Sequence, residues 1–327
     1  MITRTFYYVQ QGTDPYKNLA LEQYLLETVP EGGCILYLWQ NRHTVVIGKN
    51  QNAWKECKVQ QLADDGGTLA RRLSGGGAVY HDLGNLNFTF LIHKADYNIS
   101  RQLEVIVKAL ELLGIHAEKS GRNDLLASGR KFSGNAFYEA GDRCYHHGTL
   151  MVNVDRENLG KYLQVSADKL KSKGVASVQA RVINLTELKA DLTLDMLKKA
   201  LIDAMELVYG YKAEPWPEES MDAEKVEIYR DFYASDEFRL NRKIPFTWEL
   251  EHRFHWGEIQ LQCEANEGKI RQIEIYSDAM DAGLVEEIKT ALTGSAFSSK
   301  AMAECLSYLK PRQEIVDLRA CLLQMNI

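Results

Sequence analysis

The stretch Ala70–Ile92, ARRLSGGGAVYHDLGNLNFTFLI, sets two patterns side by side. Two arginines and three consecutive glycines come first, then His81-Asp82 and Gly84-Asn85. From Leu86 the chain alternates: Leu86, Phe88, Phe90 and Ile92 fall on one side of an extended segment, and Asn87, Thr89 and Leu91 on the other. Successive strand side chains point to opposite faces, so this is a strand with one apolar face, entered directly from a glycine loop. A linker is seldom bracketed by arginines and an apolar-aromatic strand start, so the loop needs a further account.

Glycines 75, 76 and 77 have no Cβ, can adopt positive φ, and can turn several backbone N–H groups toward one anion. Arg71 and Arg72 add planar, permanently charged forks suited to phosphate oxygens. The spacing is not a P-loop, because no Gly-Lys-Ser/Thr follows, and it is not a dinucleotide fingerprint, because Tyr80 stands at the third glycine position. The plain alternative is a flexible hairpin with two solvated arginines.

The rest of the chain is that of an ordinary globular protein. Its 327 residues are 45% hydrophobic and 26% charged, enough for a substantial core and about two domains. A net charge of −6 supplies no general basic field, so nucleic acid is not an expected partner and any anion must be held locally. The N-terminus lacks a signal-peptide pattern, and no apolar run approaches the roughly 18 residues of a membrane span. A cytoplasmic protein is expected, with no membrane partner. Six scattered cysteines without a CxxC pair read as reduced, buried small hydrophobes, and no structural metal is expected.

Helical spacing marks Asn18–Val29, a segment between Ser100 as N-cap and Gly114 as C-terminal stop, and two later helices, one ending at Gly210 and one following Pro215 and Pro217. Between the second and third lie two strand-rich runs, DLLASGRKFSGNAFY and CYHHGTLMVNV, the first turning at Ser128-Gly129. Strands with helices at the rim and no regular βα alternation indicate an α+β fold of mixed sheets packed by helices. Near Asn241–Pro245 the pattern restarts with three strands and a helix pair. The last 80 residues or so can form a small α+β accessory domain, giving expected domains of 1–243 and 244–327.

A second constellation follows the hairpin. Asn123-Asp124 opens one strand and Lys131 sits on the next, so pairing of these strands would bring them together. HHGTL, His146–Leu150, interrupts an otherwise apolar strand with polar and glycine positions. Taken singly, a solvated strand lysine and two satisfied structural histidines would explain them.

Read together, RRLSGGGAVYHDLGNLNFTF, GRND followed by RKFSGNA, and HHGTLMVN resemble the lipoate protein ligase family in its two-domain bacterial form. DPYKNLALE, LWQNRHTVVIGKNQNAWKE and ARVINLTEL extend the likeness over residues 1 to about 210, and RFHWGEIQL carries it into the last 80. The resemblance implies a biotin/lipoate protein ligase-like catalytic domain that uses ATP and Mg2+ to make lipoyl-AMP. It implies transfer of the lipoyl group to a lysine of an acceptor: the E2 subunits of 2-oxoacid dehydrogenase complexes or the glycine cleavage H protein. Position by position, it puts Arg72, Gly77, Ala78, Val79, Tyr80 and Lys131 on ATP, with Asn123 and Asp124 on the nucleotide or its metal. Lys131 also touches lipoate, with Trp39, Ser74, Gly75, Gly76 and His147 as further lipoate contacts, and Lys131 and Arg72 are the expected catalytic residues. Three rivals stand beside this: an ATP-independent octanoyl or lipoyl transferase working through a Cys144–His146 dyad, a biotin protein ligase, and a noncatalytic lipoate-binding module.

Overall fold

A computed structural model describes residues 1–120, 124–164, 182–240 and 244–325. The chain divides into two compact units: Met1–Ile47, Trp54–Arg72 and Ala78–Arg239 form the first, while Gly48–Ala53, Leu73–Gly77 and Leu240–Ile327 form the second. The second unit thus takes in two short segments of the N-terminal half, one of them the triple glycine.

The first unit is built on an eight-stranded mixed sheet. Its strands are β1 (Arg4–Val9), β2 (Gly33–Trp39), β6 (Asn85–His93), β7 (Glu118–Ser120), β8 (Asp124–Ala127), β9 (Arg130–Ala140), β10 (Arg143–Met151) and β11 (Ala213–Pro215), in the spatial order β11-β1-β2-β6-β10-β9-β8-β7. The pairs β11–β1 and β1–β2 are parallel and the remainder antiparallel. A separate three-stranded sheet, order β4-β3-β5, contains β3 (Thr44–Ile47), β4 (Thr68–Arg71) and β5 (Val79–His81). The α+β expectation is met.

The alternation read from Leu86 onward decides which side of the large sheet is core. Leu86, Phe88, Phe90 and Ile92 join Leu36, Leu38, Cys144 and Leu150 in one buried cluster. Leu103, Ile106 and Leu110 of α4 (Ile99–Leu112) and Leu197, Leu201 and Met205 of α6 (Leu194–Tyr209) complete it. Each large apolar side chain so buried contributes roughly 1.5–3 kcal/mol. The opposite side faces α1 (Pro15–Thr28), whose N-cap Asp14 accepts from the Tyr16 N–H with Pro15 at the first turn.

Several local expectations shift. The N-cap of α4 is Asn98, whose Oδ1 accepts from Arg101 N, rather than Ser100, and Gly114 follows at φ +77. Both residues carry suitable oxygens, and the first turn closed on the earlier one. Ser128 and Gly129, both at positive φ, form the hairpin turn. Short helices α2 (Ala53–Glu56), α3 (Val59–Asp64) and α5 (Arg156–Tyr162) were not legible, being too short for a period to show. After α7 (Ala223–Ala234) and α8 (Asp236–Leu240), the second unit carries β12 (Trp248–Phe254), β13 (Gly257–Asn266) and β14 (Lys269–Ser277) as an antiparallel sheet. It is packed by α9 (Leu284–Leu292), α10 (Ser299–Leu306) and α11 (Gln313–Gln324). Three helices stand where a pair was expected. The signal for the third was present, since Ile315, Leu318 and Leu322 recur at helical spacing and are buried.

Two glycines of the sequence motifs are explained by close approach. Gly84 amide donates to Asp82 Oδ1, and a Cβ on Gly84 would lie 1.9 Å from the Asn153 carbonyl oxygen. Asp82 Oδ2 also accepts from Asp155 N, so the HDLGN turn braces the end of β10. At Gly148 a Cβ would come within 2.7 Å of Asn135 Oδ1 and Phe88 Cζ. Gly148→Ala should therefore destabilise the first unit by about 1–3 kcal/mol through overpacking, read as a lower midpoint in denaturant. An unchanged midpoint would show that the sheet opens there without cost.

Candidate functional site

Lys131 is set by an irregularity in its strand. The pairs Leu125↔Ser133 and Leu126↔Lys131 skip Phe132, an extra residue on β9. Such a bulge resets the alternation of side chains. Phe132 enters the core, while Lys131, three positions from Gly134, leans over it: a Cβ on Gly134 would be 3.3 Å from Lys131 Nζ. Asp124 pairs with Gly134 and forms an ion pair with Lys131, Nζ to Oδ1 2.7 Å, both side chains just over a third exposed. The expected meeting of Lys131 with the Asn-Asp pair is thus present for Asp124, while Asn123 lies outside the described residues. Lys131 carbonyl oxygen accepts from Ile183 N, fixing the backbone beneath the ammonium.

From this hairpin one face of the sheet runs toward α1. Register places Thr89 opposite Tyr37 of β2 and His147 of β10, and Asn87 opposite Trp39 and Thr149. Trp39 Nε1 donates to Thr89 Oγ1 (3.1 Å), Thr89 donates to Glu22 Oε1 (2.6 Å), and His147 Nδ1 donates to the same oxygen (2.8 Å). Glu22, from α1, is almost wholly buried. A buried carboxylate is tolerated when hydrogen-bonded and near a cation, and Arg72 is the nearby cation. Burial lowers Arg72 to about 10, opposed by the Tyr145 hydroxyl and Glu22. It stays protonated at neutral pH and also donates to the Val46 carbonyl oxygen. Glu22 was missed in the sequence because an acidic residue in a helix is ordinarily on its wet side.

A second chain reaches the same place. Asn18 Nδ2 donates to Asn41 Oδ1, and Asn41 Nδ2 donates to His81 Nδ1. His81 therefore carries its proton on Nε2. Burial, Arg72 and His147 pull its pKa down to about 3, so the ring is neutral.

Other expected site residues are placed differently. Arg71 is buried, with Nε donating to the Phe238 carbonyl oxygen (2.7 Å) and Nη2 to that of Arg239 (2.9 Å). It ties β4 to the 236–240 helix, which corrects its reading as a phosphate fork. Tyr80 packs in a three-ring cluster with His43 and Tyr162, ring centroids 5.9 and 5.8 Å away, those two rings being 5.1 Å apart. The backbone of β5, which carries Val79 and Tyr80, forms one margin of its three-stranded sheet, and Ala78 leads into it. Ser74, Gly75, Gly76 and Gly77 belong to the second unit and Lys131, Arg72, Trp39 and His147 to the first. Within the second unit Gly76, at φ +85, donates its N–H to the Ala279 carbonyl oxygen. A Cβ on Gly75 would lie 2.4 Å from that oxygen, whereas at Gly77 it would meet nothing within 4 Å.

Cys144 and His146 share a face, as their spacing requires, but it is the core face. Burial drives the Cys144 thiol up to about 12. His146 is held between Asn135 Oδ1 and Gln102 Oε1, and burial pulls its pKa down to about 3. A nucleophilic cysteine needs a depressed pKa and access. Among the described residues no group of three or more His, Cys, Asp or Glu side chains is arranged to hold a metal ion, and no helix is long and apolar enough to cross a membrane.

Comparison with known proteins fits this geometry. Residues 14–206 match the family described as the lipoyl protein ligase A/B catalytic domain, and residues 243–320 match the bacterial lipoate protein ligase C-terminus. The chain belongs to the lipoate–protein ligase family. A lipoate-protein ligase A of Psychrobacter cryohalolentis is 41% identical over 288 residues, covering 86% of this chain and 85% of that protein. The crystal structure of P. falciparum LipL1 in complex with lipoate superposes with a TM-score of 0.86 at 28% identity, covering 98% of this chain and all of that one. A lipoate-protein ligase A bound with ATP gives a TM-score of 0.61 at 26% identity, covering 73% of this chain and 99% of that one.

A ligase has no use for an acyl-cysteine. Cys144→Ala is expected to leave the rate of acceptor modification within about twofold of wild type, and native Cys144 should resist alkylation at pH 8. Loss of activity together with rapid labelling would revive the thioester route.

Proposed function

We propose that this ligase binds ATP and lipoate, forms lipoyl-AMP with release of pyrophosphate, and passes the lipoyl group to a lysine of a lipoyl acceptor domain. The observation that carries the reading is Lys131. Its ammonium stands beside Asp124 and over side-chain-free Gly134, at the border of the face that holds Trp39, Thr89 and His147. A compact cation beside that face suits a carboxylate and the phosphate it attacks.

In the first step a carboxylate oxygen attacks the α-phosphorus; a new P–O bond forms, and the bond to pyrophosphate breaks with its electron pair. Two anionic groups must approach, so fixed cations and N–H donors lower the barrier. Lys131 holds both, exchanging its Asp124 partner for ligand oxygens. Arg72 adds charge, while the Gly77–Tyr80 backbone, including the outer margin of β5, supplies main-chain contacts to the nucleotide. Asp124 would suit a Mg2+ ion carried by the triphosphate as a hard oxygen donor, since such an ion is commonly held by one or two carboxylates plus phosphates, and Asn123 is proposed as a further contact from the family resemblance. In the second step the acceptor amine attacks the acyl carbon, the C–O bond to AMP breaks, and the nitrogen gives up a proton. Lys131 then polarises the acyl oxygen.

The lipoyl chain is assigned to the face with Trp39 and His147; Ser74, Gly75 and Gly76 are proposed as lipoate contacts from the family resemblance alone. Acceptors are the E2 subunits of 2-oxoacid dehydrogenases or the glycine cleavage H protein, reached in the cytoplasm. Residues 1–243 are proposed as the catalytic domain and 244–327 as the accessory domain.

The direct test is mass gain of a purified lipoyl acceptor domain given lipoate, with and without ATP. Gain only with ATP is expected; equal gain without it would favour the transferase. Lys131→Ala should fold and lose about 100-fold or more in lipoyl-AMP formation, as when an electrostatic contact to a transition state is removed. A wild-type rate would remove Lys131 from the mechanism. Gly77→Ala separates packing from ligand approach, because among the described residues its Cβ meets no atom within 4 Å and Gly77 is not at positive φ. The melting temperature should hold while ATP affinity falls about tenfold, a loss of roughly 1.4 kcal/mol. Unchanged affinity would place the nucleotide elsewhere.

A further inference from the structure

The Trp39–Thr89–Glu22–His147 chain spends its donors inward on one carboxylate. Three donors on the same side of the fold are left over. The Tyr145 hydroxyl, Asn87 Nδ2 and His81 Nε2 are buried and find no hydrogen-bond partner among the described residues. They sit at the two ends of the chain. Asn87 is paired across the sheet with Trp39, the His81 ring lies 6.2 Å from that of Trp39, and the Tyr145 ring is 4.7 Å from that of His147. His81 must be a donor at Nε2, because its Nδ1 accepts from Asn41. Buried polar groups without partners are uncommon, because each costs stability when nothing accepts from it. A slot meant for a plain hydrocarbon chain needs apolar walls and has no use for three such donors.

We propose that these groups make the face assigned to the acyl tail a hydrogen-bond-donating surface, selecting a sulfur-bearing tail over an alkyl tail of equal length. The inference rests on the function proposed above and adds to it the basis of substrate choice. Divalent sulfur, as in the dithiolane disulfide, is a weak acceptor and can take an O–H or N–H donor, whereas a methylene or methyl group cannot. An alkyl tail laid over this face leaves the donors stripped of any partner, a penalty the sulfur-bearing tail relieves in part. Selection of this kind works by leaving the site's polar groups unpaired with the wrong ligand. Tyr145 is the cleanest probe. Its ring contacts survive as phenylalanine, and its hydroxyl gives up no hydrogen bond within the protein when removed.

The experiment measures pyrophosphate release with ATP and either lipoate or octanoate, for the wild-type protein and Tyr145→Phe, alongside their melting temperatures. The wild type should have the higher kcat/KM for lipoate. In Tyr145→Phe the lipoate-to-octanoate ratio should fall about threefold or more, with octanoate turnover rising and the melting temperature unchanged or higher. A ratio unchanged in the variant, or a wild type that favours octanoate or shows no preference, overturns the inference while leaving the ligase function standing. No pyrophosphate release by the wild type with either acid overturns the functional reading itself, and this one with it.

Discussion

The pairing of Thr89 with His147 across the centre of the large sheet is the constraint on which the rest of the first unit depends. A one-residue slip would send every side chain of β6 to the other face. Phe88 and Phe90 would lose the α4 and α6 core, and Thr89 would lose Glu22. The core therefore fixes the site: burial of one face enforces the register that gathers the polar groups on the other. Glu22 reinforces this from α1. A nearly inaccessible carboxylate is costly unless the hydrogen bonds from Thr89 and His147 form, so α1 docks in one position only.

Glycine plays three separate parts in this chain. At Gly84 and Gly148 it permits backbone and side chains to close within distances that a methyl group would forbid. At Gly134 it leaves room for the head of Lys131 beside it. In the Gly75–Gly77 loop, Gly75 and Gly76 fit against the Ala279–Met280 carbonyls inside the second unit, and a Cβ on Gly77 would meet no described atom within 4 Å. Neighbouring glycines of one motif thus differ in what a side chain would meet, a difference that the sequence does not show.

What the sequence disclosed was what has a period or a fixed turn chemistry. The alternation from Leu86 to Ile92, the glycine stops of α4 and α6, and the Ser128-Gly129 turn were legible, because each depends on neighbours within a few residues, whereas the cap of α4 was displaced from Ser100 to Asn98. The α+β class followed from their order. Of the candidate site, Lys131, Asp124, Arg72, Trp39 and His147 stood out in the sequence through motif resemblance more than through spacing. Glu22 did not, since its partners lie 67 and 125 positions away in the chain. The bulge at Phe132 was equally hidden: an extra strand residue leaves no mark in composition, yet it decides which way Lys131 points. Arg71 and Arg72 look equivalent as neighbours, and the fold gives one to the carbonyls of Phe238 and Arg239 and the other to the buried face with Glu22.

The central claim is that the polar face bordered by Lys131 joins a carboxylate to an α-phosphate before any acceptor is present. The measurement that tests it most directly is exchange of labelled pyrophosphate into ATP by the purified protein, with lipoate supplied and no acceptor domain. The account requires exchange that depends on lipoate and rises with its concentration to saturation. Exchange absent at saturating lipoate and ATP, in a protein that still modifies an acceptor, would contradict it.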